Sequence, residues 1–496
     1  MHTLTDLFQR VVSLKWQGSI GLSSETGAIR APEFFGLLTA CLNRLETHIK
    51  HNDVVLVRVD SNLESICLIL TLWQLGAVVV PVKRNVDSSA LALIAEDCNA
   101  RYLIDPAGDD VQPLSSYQET TGHFVFHCSP KVSGTDRALI IYTSGSTGNP
   151  KGIILSHTNV ITALRAISDY LKIDPQERIL NISPLSFDYG LYQVLFAIYK
   201  DCSVILYDEA VNPITLVKAI ERQQITLIPA LPVIATLLAK GAQICKKSLP
   251  MLRKLTNTGG HLDEHTIDAL LAQMPNLQIY AMYGLTESKR ALYLPPADIH
   301  RKRGSVGIPM PGLEAKVFNE VAQEDGSFRY IEAAPGQIGH LYVRGPSVMQ
   351  GYTRSDADAG ARLIPGLYRD DNWLDTGDLF MRDEEGYFYF KGRAKELIKQ
   401  GGYCLYAADI ETAVLAHAQI QFASVVGTKD RFGNEIACLF IKLDDHALQH
   451  PPQDILDWIE LTLGADYCPR MIKVVEDIKL SVNGKIDKKQ MLAAYS

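Results

Sequence analysis

The sequence predicts an α/β protein in two parts. Residues 1–394 form a large domain of parallel sheets with packed helices and a small β-rich subdomain. Residues 395–496 form a small α+β domain. Three observations lead there. Residues 53–60 (DVVLVRVD) read as a strand, 62–75 as a helix closed by Gly76, and 77–82 as a second strand. Such a β-α-β unit implies a parallel sheet covered by helices. From about Pro335, short strands separated by Gly, Asp and Pro replace the helices. Finally, Gly392-Arg393-Ala394-Lys395-Glu396 interrupts that pattern, and α and β segments alternate again beyond it. A chain of 496 residues has room for two or more domains.

The remaining elements follow from local pattern. Residues 92–99 read as helical and 100–104 as extended. The apolar run 138–141 is a buried strand. Helical spacing returns at 159–171 and 214–223, and 203–207, 226–228 and 278–282 read as strands. In the β-rich part, 339–344, 379–382 and 387–391 are strands. The C-terminal part carries a helix at 408–417 and a strand at 437–443. The run 65–82 is apolar enough to test as a membrane span, but Gln74, Gly76 and Pro81 break it. Apolar residues are 47% and charged residues 21%, as in ordinary globular proteins. A net charge of −8 offers no general attraction for nucleic acid or anionic membrane. Nine cysteines, an odd number without a Cys-x-x-Cys pair, argue against a disulfide framework or zinc site and make a reducing cytoplasm the expectation.

Chemistry concentrates in Ile141-Tyr142-Thr143-Ser144-Gly145-Ser146-Thr147-Gly148-Asn149-Pro150-Lys151-Gly152. Small residues let backbone N–H groups converge on an anion. The hydroxyls of Thr143, Ser144, Ser146 and Thr147 add donors, and Lys151 adds a charge. Together they suit a polyphosphate. The Walker A and dinucleotide-binding patterns are both absent.

Residues 142–152 resemble the phosphate loop of the adenylate-forming superfamily, which contains acyl-CoA synthetases, luciferases and amino-acid adenylation domains. The resemblance implies ATP and Mg²⁺ as cofactors and assigns roles to further motifs. In Tyr283-Gly284-Leu285-Thr286-Glu287, Tyr283 stacks on adenine, Thr286 contacts the α-phosphate and Glu287, a hard oxygen ligand, binds the metal. Thr256-Asn257-Thr258-Gly259-Gly260 supplies walls for nucleotide and acid. Asp378, in Asp375-Thr376-Gly377-Asp378, accepts hydrogen bonds from the ribose, which Arg393 also contacts. Lys485, in Asn483-Gly484-Lys485-Ile486-Asp487, bridges the acid carboxylate and the α-phosphate, and Lys395 is the hinge of a mobile C-terminal domain. A lysine carried on such a domain allows one site to serve two half-reactions.

The acid is selected by Ser183-Pro184-Leu185-Ser186-Phe187-Asp188-Tyr189-Gly190-Leu191. In amino-acid adenylation domains a Phe-Asp pair here holds the substrate's α-ammonium. Asp188 therefore favours a small amino or imino acid, with Tyr189, Tyr192, Thr258 and Met282 making a small pocket. Lys289 and Arg290 complicate this reading. Either Asp188 pairs with a protein cation, as Asp188–Arg290, or Arg290 recognises a polar or acidic substrate side chain. Gly190 departs from the Ser common in peptide-synthetase domains and, with its neighbours, resembles freestanding prolyl-type carrier-protein ligases. Lys395 and Glu396-Leu397-Ile398-Lys399 resemble the CoA-ligase branch. The leading expectation is a freestanding ligase that loads an amino acid onto the phosphopantetheine of a separate carrier protein, as in nonribosomal peptide synthesis. The alternative is an AMP-forming acyl-CoA ligase acting on a small acid.

Overall fold

The computed structural model describes residues 1–25, 27–106, 111–114, 132–144, 150–323, 328–354, 362–366, 371–417, 419–443, 453–479 and 486–495. Two mostly parallel sheets form the body. In the first, strands Gln278–Tyr283, Lys254–Asn257, Leu227–Ala230, Arg178–Asn181, Ser203–Leu206 and Ser19–Leu22 lie side by side and parallel, with short antiparallel strands at both edges. In the second, Arg137–Ser144, Val78–Lys83, Val54–Val59 and Tyr102–Ile104 run parallel, and Pro150–Ser156 returns antiparallel on Arg137–Ser144. The phosphate loop is therefore the tip of a hairpin.

Helices Leu63–Gln74, His157–Tyr170 and Asp188–Tyr199 share one apolar core with inward residues of both sheets, among them Val55, Val79, Ile179 and Val204. Leu63–Gln74 is buried all round from Ser65 to Trp73. That accounts for its uniformly apolar sequence, since a helix enclosed by sheet and neighbouring helices needs no polar face. Among the described residues no helix is long and apolar enough to cross a membrane.

Three boundaries differ from the sequence reading. The helix expected at 92–99 starts earlier, at Ser88–Asp97, because the Asp87 carboxylate accepts from the Ala90 N–H at 2.8 Å and caps it. The β-rich part begins at strand Glu314–Ala322, well before Pro335, and pairs with Ile338–Arg344. Charged residues on its outer face hide its alternation. The presumed turn Asp375-Thr376-Gly377-Asp378 lies inside one strand, Trp373–Arg382, as a bulge. Gly377, at φ +71°, supplies the left-handed step that lets the strand continue.

The C-terminal part has its own apolar cluster, which includes Ile398, Ile410, Val425, Leu439 and Ile459. It also touches the large body: the Lys391 ammonium lies 2.8 Å from Asp409, and a His265 ring nitrogen lies 2.8 Å from the Leu415 carbonyl.

His157 ties the N-terminal segment to the body. Its imidazole is fully buried and its Nδ1 accepts from the Leu4 N–H at 3.1 Å. Burial pushes its pKa down from 6.5 to about 4. Between those values the unfolded chain takes up a proton that the folded imidazole refuses, so stability falls as pH drops through the window, by at most about 3 kcal/mol. The loss of urea-unfolding midpoint between pH 7 and pH 4.5 is expected to be smaller in His157→Gln than in the parent protein. An identical loss in both would contradict this.

Candidate active site

Tyr283 ends the strand Gln278–Tyr283, and the chain doubles back so that the Ala291 N–H donates to the Tyr283 carbonyl at 3.0 Å. Glycine is required at 284, where a β-carbon would stand 2.7 Å from the Lys289 carbonyl oxygen and 2.8 Å from the Arg290 Cα. This loop carries residues of both halves of the site.

On the nucleotide side, the Tyr283 hydroxyl donates to Asp378 Oδ2 at 2.5 Å, and Arg393 Nε lies 3.2 Å from Asp378 Oδ1. Phe380 meets the Tyr283 ring edge-on at 4.8 Å, and Phe390 lies roughly parallel at 6.3 Å. Burial, then the Asp378 charge, pushes the Tyr283 hydroxyl well above its ordinary pKa, so it stays a donor. The bulge fixes Asp378 from behind, because its N–H donates to the Thr376 hydroxyl, which in turn donates to the Leu341 carbonyl.

Thr286 is buried beside this group. Glu287 receives the Tyr352 hydroxyl at 2.8 Å, and its carboxyl pKa is raised, chiefly by burial. A buried carboxylate held this way is a hard oxygen ligand that gains from a divalent cation, so the donor set fits Mg²⁺. Tyr352 belongs to Gly351–Tyr352, which pairs with Pro150–Ser156, the strand bearing Lys151. Gly152 permits this: a β-carbon there would meet Thr353 and Tyr142 at 2.7 Å. Thr143 pairs with Lys151 across the hairpin. Gly145, Ser146, Thr147, Gly148 and Lys485 lie outside the described residues, as does the Ser144 side chain. Gly259 and Gly260 follow the strand Lys254–Asn257, Gly259 at φ +81°.

On the acid side, Asp188 opens the helix Asp188–Tyr199 and is buried. Its position in the first turn places the carboxylate at the favourable end of the helix dipole. Gly190 is explained by packing, since a β-carbon would lie 2.3 Å from the carbonyls of Ser183 and Pro184. The Tyr189 hydroxyl reaches both the carbonyl and Oγ1 of Thr256 at 2.9 Å, and Met282 Sδ accepts from the Tyr170 hydroxyl at 3.0 Å. Tyr192 and Thr258 are buried as expected.

The ion pair suggested between Asp188 and Arg290 is not formed; Lys289 takes that place, its Nζ 3.1 Å from Asp188 Oδ2. Lys289 sits in the left-handed region at φ +62°. That step in a loop already folded onto Gly284 sends successive side chains different ways. The Lys289 ammonium also lies 4.0 Å from the centre of the Tyr192 ring. Burial pushes its pKa down to about 7, with Asp188 pulling the other way. Arg290 is buried over the Tyr189 ring at 4.7 Å and donates from Nη1 to the Lys289 carbonyl at 3.0 Å. Tyr170, Gln193 and Tyr352 were not anticipated. Tyr170 lies in a helix far from any motif, and Tyr352 reaches Glu287 only through strand pairing.

Glu320, His340 and Asp375 also cluster closely enough to suggest a metal site. Arg362 already neutralises them, with Nη2 2.7 Å from Glu320 and 3.4 Å from Asp375. The cluster is a salt-bridge network.

Fold and site together define an AMP-forming ligase of the adenylate-forming kind. The family model for AMP-binding enzyme matches residues 38–353, and that for the AMP-binding enzyme C-terminal domain matches 409–485. The chain belongs to the AMP-binding enzyme family. It is 26% identical to 4-coumarate–CoA ligase-like 6 of Arabidopsis thaliana over 89% of this chain and 81% of that protein. It is 30% identical to the mitochondrial medium-chain acyl-CoA ligase ACSF2 of Mus musculus over 72% of this chain. That second match spans 57% of the relative's length, under two thirds. The fold is similar to ATP-bound MatB from Rhodopseudomonas palustris (TM-score 0.82, 22% identity, 100% and 99% of the two chains covered). It is also similar to Klebsiella oxytoca NpsA in complex with 3-hydroxyanthranilyl-AMSN (TM-score 0.81, 19% identity, 100% and 99% covered).

The buried Asp188–Lys289 pair gives an asymmetric expectation. Lys289 sheds its proton readily, so Asp188→Asn leaves a group that neutralises itself. Lys289→Met strands a carboxylate and is expected to cost about 3–5 kcal/mol. The double variant is expected to recover at least about 1 kcal/mol of that loss. Chemical denaturation of the four proteins checks the cycle, and additive losses would refute the coupling.

Proposed function

We propose that this protein activates a small carboxylic acid lacking an α-ammonium as its acyl adenylate and transfers the acyl group to the thiol of coenzyme A. The observation that carries the reading is Lys289. In an amino-acid adenylation domain the aspartate at the Asp188 position awaits the substrate's ammonium; here a protein ammonium is already 3.1 Å from it. An amino acid would have to displace a buried lysine. The names of the relatives, CoA ligases of aromatic and medium-chain acids, support coenzyme A as acceptor.

In the first step a carboxylate oxygen of the acid attacks the α-phosphorus of ATP. The bond to the bridging oxygen breaks, and pyrophosphate leaves. In the second, the thiolate attacks the acyl carbon and AMP leaves. The proposed roles are those that the resemblance to the adenylate-forming superfamily implies. Asp378 and Arg393 hold the ribose, the Tyr283 ring stands against adenine, and Thr286 contacts the α-phosphate. The hairpin loop with Lys151 grips the phosphates. Glu287 would hold Mg²⁺, which supplies charge neutralisation on the transferring phosphate. Lys485 bridges carboxylate and phosphate, and the turn at Ala394–Glu396, with Lys395, is the hinge between domains 1–394 and 395–496.

A second reading keeps the amino acid and the carrier protein. Asp188 at a helix start and the prolyl-ligase-like Phe-Asp-Tyr-Gly-Leu segment favour it. Acid-dependent pyrophosphate exchange across simple acids and amino acids separates the two. Exchange with acids lacking the amino group, with AMP release on adding CoA, is expected; exchange confined to amino acids would overturn the proposal.

Lys485→Ala is expected to lower adenylation at least about 10²-fold while thiol transfer from a preformed adenylate largely survives. Single-turnover assays in which both steps fall equally would remove Lys485 from its role.

A further inference from the structure

Lys289 and Arg290 are two successive buried basic side chains, and only Lys289 pairs with the buried carboxylate of Asp188. The Asp188–Lys289 pair accounts for the lysine. Arg290 is left with thin company: the Lys289 carbonyl on Nη1, the face of Tyr189, and no partner for its buried Nε among the described residues. A guanidinium has five N–H donors in a planar fork and does not lose its charge. Burying one with its fork unfilled is costly, and mutational precedent puts the penalty for an uncompensated buried charge among the largest in proteins.

The surroundings say where the missing partner belongs. Arg290 lines a pocket together with Tyr189, Gln193, Thr256, Met282 and Lys289. The pocket lies beside Asp188, the residue that faces the activated end of the acid in the family reading. Arg290 lies over Tyr189, and burial holds the phenols of Tyr170, Tyr189 and Tyr192 above their ordinary pKa, so none supplies an anion at neutral pH. Gln193 is neutral and donates to the Tyr189 carbonyl at 2.9 Å. No carboxylate lines this pocket among the described residues, and Asp188 is engaged by Lys289.

We infer that the acid carries a second anionic group, making it a dicarboxylate, and that Arg290 binds it. This rests on the ligase reading and names its substrate class. One carboxylate is adenylated; the other fills the guanidinium fork, where a bidentate pair both compensates the charge and fixes the length of the acid. Lys289, beside Arg290, holds Asp188 so that the like charge does not repel the incoming anion.

The test measures CoA-dependent AMP release with chain-matched acids, succinate against butyrate and glutarate against valerate. The parent protein is expected to prefer a diacid in kcat/KM by at least about 10²-fold, since a site built to pair a polar group rejects the analogue lacking it. Arg290→Gln is expected to collapse that ratio to within about threefold, chiefly through a rise in KM for the diacid, and Arg290→Lys to retain part of it. Circular dichroism confirms folding; should Arg290→Gln fail to fold, the parent ratio and Arg290→Lys decide. A monoacid used as well as its diacid by the parent, or a preference that survives in Arg290→Gln, overturns the inference and leaves the acid–CoA ligase reading standing. Activity confined to amino acids overturns both.

Discussion

The reversal of chain after Tyr283 is the constraint on which the site depends. Within eight residues, 284–291, the backbone leaves one strand, approaches itself at Gly284 and enters the next. Tyr283, at its start, is locked to Asp378 on a different sheet. Glu287, in its middle, is locked to Tyr352. Lys289 and Arg290, at its end, are pressed into the acid pocket against Asp188 and Tyr189. The residues proposed for nucleotide, metal and acid are thus all carried by one short loop. A side chain at Gly284 would push Arg290 and Tyr283 apart and so loosen both ends together.

The second constraint is the hairpin of the phosphate loop. It owes its position to the antiparallel return of Pro150–Ser156 and to a further strand, Gly351–Tyr352, laid along it. That outer strand is contributed from beyond the whole second sheet in sequence, and it delivers the Tyr352 hydroxyl to Glu287. The side chains of Tyr142, Thr353 and Arg354 converge on Asp97 next to it. The two strands of this hairpin therefore rest on a polar knot that joins three distant segments.

Much of this was legible from residue order. The β-α-β unit at Val54–Lys83 follows directly from apolar runs and a capping glycine, and its strands lie within a residue or two of the expected limits. Tyr283 and Asp378 belong to motifs that local composition exposes. What local pattern could not supply was direction. The fragment Lys289-Arg290 shows that a cation stands near Asp188, but which one depends on a single backbone step at φ +62°. Propensity gives little warning of it, because lysine rarely adopts that region. Strand Glu314–Ala322 was obscured for a different reason: one face is solvated, so its charged residues resemble a loop. Gly190 stood out as a departure from peptide-synthetase sequences, and its cause, two carbonyls where a β-carbon would be, is a tertiary fact.

The pocket's electrostatics turn on which partner brings each charge. A buried carboxylate at a helix start requires a cation, and the cation can come from the ligand or from the protein. If it comes from the ligand, every acid without an ammonium leaves the carboxylate stranded, and selectivity is built in at no cost in sequence. Here the protein supplies it, through Lys289, and the carboxylate no longer discriminates for an ammonium. The same substitution shifts discrimination one residue along the chain. With Asp188 satisfied, Arg290 becomes the group in deficit, and the sign of the charge the pocket demands is reversed from positive to negative. On the dicarboxylate proposal, a single loop conformation is enough to satisfy Asp188 from within the protein and to leave Arg290 for an anion.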